Sequence, residues 1–162
     1  MAALSEGQKA PEFNLPASSG KQVALKDFKG KNRVVLYFYP KDDTPGCTVE
    51  ACSFRDGIKK IESQGTVVLG ISPDAVESHN KFIDKFKLPF ILLSDEGKKV
   101  STAYGVWVKK SMYGKEYMGV ARTTFIIGKD GTIEKIYEKV KPEGHAEEVL
   151  DFLKNGQTAV QK

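Results

Sequence analysis

Only two thiols are present in this chain of 162 residues, and they lie five positions apart: Cys47 and Cys52, in the stretch T-P-G-C-T-V-E-A-C-S-F-R-D. A cysteine does nucleophilic and redox chemistry as its thiolate, so its surroundings decide whether it reacts or simply fills space. Thr44, Pro45, Gly46 and Thr48 surround Cys47 with turn and capping residue types. Downstream, Val49, Ala51, Phe54, Ile58 and Ile61 follow, with spacings of three and four that mark a helix face. Cys47 therefore falls at the start of a helix. The first N–H groups of a helix lack intrahelical partners and carry partial positive charge, which favours a thiolate there. The bland alternative, a small buried hydrophobe, does not account for this cluster of turn residues.

The spacing decides what Cys52 can do. On a wound helix, five positions separate two Cα atoms by roughly 7.5 Å of rise and about 140° of rotation, ~8.6 Å in all. A disulfide needs Cα atoms closer than about 7 Å. A redox couple here must therefore unwind the first turns of the helix in each cycle. A permanent disulfide would forbid the helix that Phe54, Ile58 and Ile61 call for. The C-x-x-C spacing of single-turn dithiol exchange is absent. Two cysteines with the distant His79 and His145 are also too poor a ligand set for structural zinc.

Pro40, Thr44 and Cys47 spell P-x-x-x-T-x-x-C, which resembles the active-site motif of the peroxiredoxins. The fuller P-G-C-T-V-E-A-C-S-F-R-D looks like the bacterioferritin comigratory protein or peroxiredoxin Q branch, where the second cysteine lies five residues on. The likeness runs from the A-P-E-F-N-L opening to R-T-T-F-I-I and the closing helix. The resemblance implies that Cys47 is the peroxidatic cysteine and Cys52 the resolving one. It further implies that Thr44 orients peroxide and thiolate, that Pro40 shields the thiolate from water, and that Arg122 stabilises it. Glu50 would position an arginine. By the same resemblance the substrates are hydrogen peroxide and organic hydroperoxides, the reductant is thioredoxin or a similar dithiol, no cofactor is needed, and the protein is a monomer.

The elements that must position these residues can be read in order. Pro11–Pro16 alternates as an edge strand, and Gln22–Leu25 is its hairpin partner across Ser18–Lys21. Lys26–Gly30 is a short turn or helical piece. The apolar run Val34–Tyr39 reads as a buried central strand, ended by Pro40, and it delivers the chain to Cys47. Ligands bind at this carboxyl end of a strand in open α/β sheets. Thr66–Ile71 is a second buried strand. Ser72 is the expected N-cap, with Pro73 at the first position, of a helix through about Phe86. On it, His79 reads as a partly buried or surface residue without a catalytic partner. Pro89–Leu93 is a third strand, and Asp95 caps a short helix ending at Gly105. Val106–Val108 precedes a polar loop, Lys109–Gly119, and Trp107 reads as packing or as a wall of the peroxide pocket. Thr123–Ile127 turns at Lys129–Gly131 into Thr132–Tyr137. Arg122, at the start of that strand, is on bland grounds a surface residue. Pro142 opens a last helix closed by Asn155-Gly156, with His145 exposed in its first turn and 157–162 a tail.

Strands alternating with helices, then a hairpin and a helix, imply a mixed central sheet covered on both faces. With the motif, this resembles an α/β thioredoxin-like fold with an added N-terminal β-hairpin, in one domain spanning 1–162. At 40% hydrophobic and 28% charged the composition is that of a soluble globular protein. The net charge of +4 is spread over scattered lysines and arginines, with no run that would grip nucleic acid. No stretch has the length and apolarity of a membrane span, and the first ten residues lack a signal-peptide core. Two cysteines in such a chain point to a reducing, cytoplasmic setting. Two other readings compete: a dithiol oxidoreductase acting on protein disulfides, and a non-enzymatic redox switch or holdase that exposes Phe54 and Ile58 when the helix unwinds.

Overall fold

The apolar run expected as the central strand is β3, Arg33–Phe38, and all of it is buried. In this computed structural model residues 4–161 are described, with side chains through residue 155. Side chains alternate across a strand, and β3 feeds both layers of the core. Val34, Leu36 and Phe38 join one apolar cluster, while Val35, Tyr37 and Tyr39 join the other, which also contains Cys47.

Five strands form the main sheet in the order β5 (Ile91–Ser94), β4 (Thr66–Ser72), β3, β8 (Thr123–Ile127) and β9 (Ile133–Tyr137). β3 runs parallel to β4 and β4 to β5, whereas β8 is antiparallel to both β3 and β9, so the sheet is mixed as expected. Helices α1 (Pro45–Glu62), α2 (Val76–Phe86) and α4 (His145–Gln161) supply apolar residues to the Cys47 side. The other side is covered by the N-terminal hairpin β1 (Asn14–Pro16) and β2 (Gln22–Ala24), a 3₁₀ turn at Leu25–Phe28, and α3 (Lys99–Ala103).

Several boundaries differ from expectation, each for a local reason. Ser72 ends β4 instead of capping α2. Its hydroxyl bonds Asp74 Oδ2 at 2.7 Å in an intervening turn, and the helix begins at Val76. The polar segment 109–119 is largely a second hairpin, β6 (Trp107–Met112) with β7 (Lys115–Val120). Its two-residue turn places Tyr113 at φ 53 and Gly114 at φ 79, both left-handed as a tight hairpin with right-handed twist requires. Asp95 caps α3 from a distance, accepting the backbone N–H groups of Val100 and Ser101.

The last helix starts at His145, not Pro142, and continues through Gly156 to Gln161 in place of a tail; Lys162 lies outside the described residues. One glycine costs a helix only about 1 kcal/mol, too little to stop one anchored by the buried Val149 and Leu153. His145 is fully buried, contrary to expectation. Its Nε2 lies 2.8 Å from Thr124 Oγ1, and its ring stands nearly perpendicular to those of Phe54 and Tyr137. Burial lowers its pKa, with Glu148 opposing that shift.

Candidate active site

The site forms where β3 hands the chain to α1. Pro40 lies two residues beyond the strand and is half-buried. Thr44 is the extended N-cap residue, its carbonyl accepting Thr48 N–H at 2.8 Å and its hydroxyl donating to Lys41 O at 2.9 Å. Pro45 suits the first helical position because its missing N–H is an orphan there anyway. Cys47 follows in the first turn, only 1% exposed.

Arg122 reaches this point through the sheet. β8 pairs with β3 so that Thr123 stands opposite Phe38, which brings Arg122 alongside the chain leaving β3. Its Nη2 donates to Cys47 Sγ at 3.3 Å and its Nη1 to Glu50 Oε1 at 2.7 Å. Cys47 and Glu50 are three residues apart on α1 and therefore share a face, so one guanidinium engages both. Burial works against the Arg122 charge, but Glu50 and Cys47 together more than offset it and raise its pKa.

Glu50 is fully buried, and its Oε2 has no hydrogen-bond partner. Burial pushes its carboxyl up to about 7, with Arg122 limiting the rise. Gly46 makes room for the arginine: a Cβ there would sit 3.0 Å from Arg122 Nη2. Lys110 on β6 is a second cation in electrostatic reach. Burial and Arg122 lower its pKa and Cys47 raises it, and a reading of 109–119 as a loop gave no hint of that.

Cys52 is a free, half-buried thiol one and a half turns on, and Cys47 is free as well, so the helix is wound over both as the spacing argument requires. Among the described residues, Arg122 is the side chain hydrogen-bonded to the Cys47 sulfur; Thr44 and Pro40 flank it in sequence without a bond to it.

Sequence reading passed over a neighbouring group. Asp42 and His79 are buried and lie in direct contact, Nδ1 to Oδ2 2.7 Å. The signal was present: Val76, His79, Phe82 and Phe86 fall on one helical stripe. Asp42, Asp74 and His79 gather metal-ligand atom types within 4.8 Å. Those groups are already engaged in hydrogen bonds within the protein, which makes the cluster a bonding network in its own right.

The AhpC/TSA family pattern matches residues 6–136. Peroxiredoxin Bcp of Bacillus subtilis is 50% identical over 149 residues, covering 92% of this chain and 94% of that protein. The solved structure of Xylella fastidiosa PrxQ superposes with a TM-score of 0.91 at 35% identity, covering 97% of this chain and 99% of the other. A Xanthomonas campestris bacterioferritin comigratory protein, described for its alkyl peroxide reduction activity, superposes with a TM-score of 0.87 at 35% identity, covering 94% and 99%. These likenesses bear out the thioredoxin-like peroxiredoxin fold with its N-terminal hairpin.

Two outcomes follow from the Arg122 geometry. Gly46→Ala should push Arg122 off the sulfur and lower kcat/KM for peroxide about tenfold while the fold survives, as read by steady-state kinetics beside circular dichroism. Glu50 binds a proton more readily folded than unfolded, so its contribution to stability falls as pH rises from 4.5 to about 7. Glu50→Gln cannot titrate. The stability of the wild type relative to this variant should therefore drop by roughly 2 to 3 kcal/mol between pH 5 and pH 8 in urea titrations.

Proposed function

The chain belongs to the AhpC/TSA family, and on that premise we propose a division of labour between its two cysteines. It is a peroxiredoxin, a thiol peroxidase that reduces peroxides. The observation that carries our assignment of roles is the contact of Arg122 Nη2 with Cys47 Sγ, with Glu50 holding the other arm of the same guanidinium.

In this reading the Cys47 thiolate attacks the distal oxygen of a hydroperoxide. The S–O bond forms as the O–O bond breaks, and the departing oxygen takes a proton to leave as water or an alcohol. Cys47 becomes a sulfenic acid, oxidised by two electrons as the peroxide is reduced by two. Arg122 and the first N–H groups of α1 face the charge that moves along the breaking bond. Thr44 orients the peroxide and Pro40 limits access of water. The start of α1 then unwinds, and Cys52 attacks the sulfenic sulfur. A disulfide forms as water leaves with the Cys52 proton. An external dithiol, thioredoxin in the simplest case, exchanges with that disulfide and restores both thiols. Sulfur carries all of the redox chemistry.

Organic hydroperoxides are included among the substrates because the related Xanthomonas protein is described for alkyl peroxide reduction. Among the described residues no helix is long and apolar enough to cross a membrane. We place the enzyme in the cytoplasm as a monomer. Cys47 is buried beside Arg122, where the disulfide of a folded protein has little access, and this weighs against the dithiol oxidoreductase alternative.

The test is peroxide consumption coupled to thioredoxin, thioredoxin reductase and NADPH. Cys47→Ser should abolish turnover, whereas Cys52→Ser should reduce one equivalent of peroxide and then stall. A Cys52→Ser enzyme that cycles normally with thioredoxin removes the resolving role, and activity in Cys47→Ser removes the whole assignment.

A further inference from the structure

Asp42 uses both carboxylate oxygens and its backbone N–H in hydrogen bonds. Its Oδ1 accepts from Tyr39 OH at 2.6 Å, and its Oδ2 faces His79 Nδ1 at 2.7 Å and accepts from Ser78 Oγ at 2.8 Å. Its own N–H donates to Asp74 Oδ2 at 2.8 Å. Opposite Asp42, the His79 Nε2 lies 2.8 Å from Leu93 O. A carbonyl can only accept, so Nε2 bears a proton, and Nδ1 shares a second one with the Asp42 carboxylate. A buried carboxylate and imidazole are tolerated because each supplies what the other lacks; breaking one side strands the other.

The position of this pair bears on the chemistry. Asp42 lies between the end of β3 and Thr44, in the loop from which α1 and Cys47 start. The next residue, Asp43, is held at φ 56, a left-handed conformation that costs a non-glycine residue energy, and Lys85 of α2 bonds its carboxylate at 2.9 Å. The loop is thus fastened to α2 at two successive residues and, through His79, to β5. Arg122 meets Cys47 from the β8 side. We propose that Asp42 and His79 form a clamp whose task is positioning: it sets the 40–44 loop so that Cys47 meets Arg122 in the arrangement that attacks peroxide.

The clamp lies before Thr44, outside the helical segment that must unwind to bring Cys52 to Cys47. It therefore acts on the peroxide step and stays in place while the disulfide closes. This inference rests on Cys47 being the attacking thiol, so Cys47→Ser is carried as a control.

His79 allows a test that separates its two bonds. An asparagine amide nitrogen reproduces Nδ1, and a glutamine amide nitrogen reproduces Nε2. His79→Asn keeps the bond to Asp42 and loses Leu93 O; His79→Gln does the reverse. The readouts are kcat/KM for hydrogen peroxide and the single-turnover rate of disulfide closure. His79→Gln and Asp42→Asn should each lower kcat/KM tenfold or more, the scale of a displaced reacting group, and leave the closure rate within about twofold. His79→Asn should stay within about threefold of wild type. Asp42→Asn with His79→Gln should lose no more than the worse single variant, since the pair acts as a unit. Ser78→Ala, a milder loss, should lower kcat/KM about threefold and serves as the deciding variant if the others do not fold. The clamp is overturned if folded His79→Gln matches wild type, if Asn and Gln fall alike, or if Ser78→Ala decides alone and leaves the rate unchanged. Turnover in Cys47→Ser would instead sink the function on which the inference rests.

Discussion

One guanidinium organises the reactive end of this protein. Arg122 lies between the sulfur of Cys47 and the carboxylate of Glu50, and neither of those groups has bulk water around it. In a low-dielectric surrounding a cation shared by two acidic groups is a strong constraint, because moving it leaves a buried charge unpaired. The helix supplies the spacing that lets one arginine serve both, and Gly46 supplies the room. The unpartnered oxygen of Glu50 and its pKa near 7 show the other side of the arrangement: burial disfavours the carboxylate that holds the arginine in place. The site is thus poised, with charge on Glu50 opposed by desolvation and supported by Arg122.

In the proposed cycle the helix that builds the site also has to come apart. Its first turn brings Cys47 to Arg122, yet the wound form keeps Cys52 too far away for a disulfide. Its later turns are anchored: Phe54 stacks on Tyr37 with centroids 4.8 Å apart, and Ile58 and Ile61 sit in the same core cluster. Unwinding is therefore cheapest near the N-terminus, where Val49 is exposed and the turn residues lie. On the upstream side the loop before Thr44 is tied to α2 and β5. A short stretch between two fixed points suits a sulfur that, in the proposed cycle, leaves its pocket and returns to it.

Much of this could be read in the chain itself. Val34–Tyr39 announced a strand buried on both faces, and Pro45-Gly46 before the Ala51, Phe54, Ile58 and Ile61 stripe announced the helix with Cys47 at its start. The distance between helical positions five apart was enough to show that a Cys47–Cys52 redox couple would have to unwind the helix start. Hairpins with ordinary turn residues were legible, whereas the Tyr113-Gly114 turn was not, because tyrosine seldom takes a left-handed conformation. The end of the last helix was misjudged because a local signal, Asn155-Gly156, was weaker than the tertiary anchoring of Val149 and Leu153.

Local sequence determined where Cys47 sits and what its own helix does to it, since turn chemistry and helical period act over a few residues. Tertiary structure placed the groups that meet that thiol and the loop before it. Arg122 arrives from 75 positions away through the β3–β8 register, and His79 from 37 positions beyond Asp42 through the packing of α2. By period and composition Arg122 could equally have been a surface residue, and the apolar stripe that holds His79 names no partner for it. What distinguishes them is the pairing of strands and the burial of partners, and neither is encoded in the spacing of any single segment.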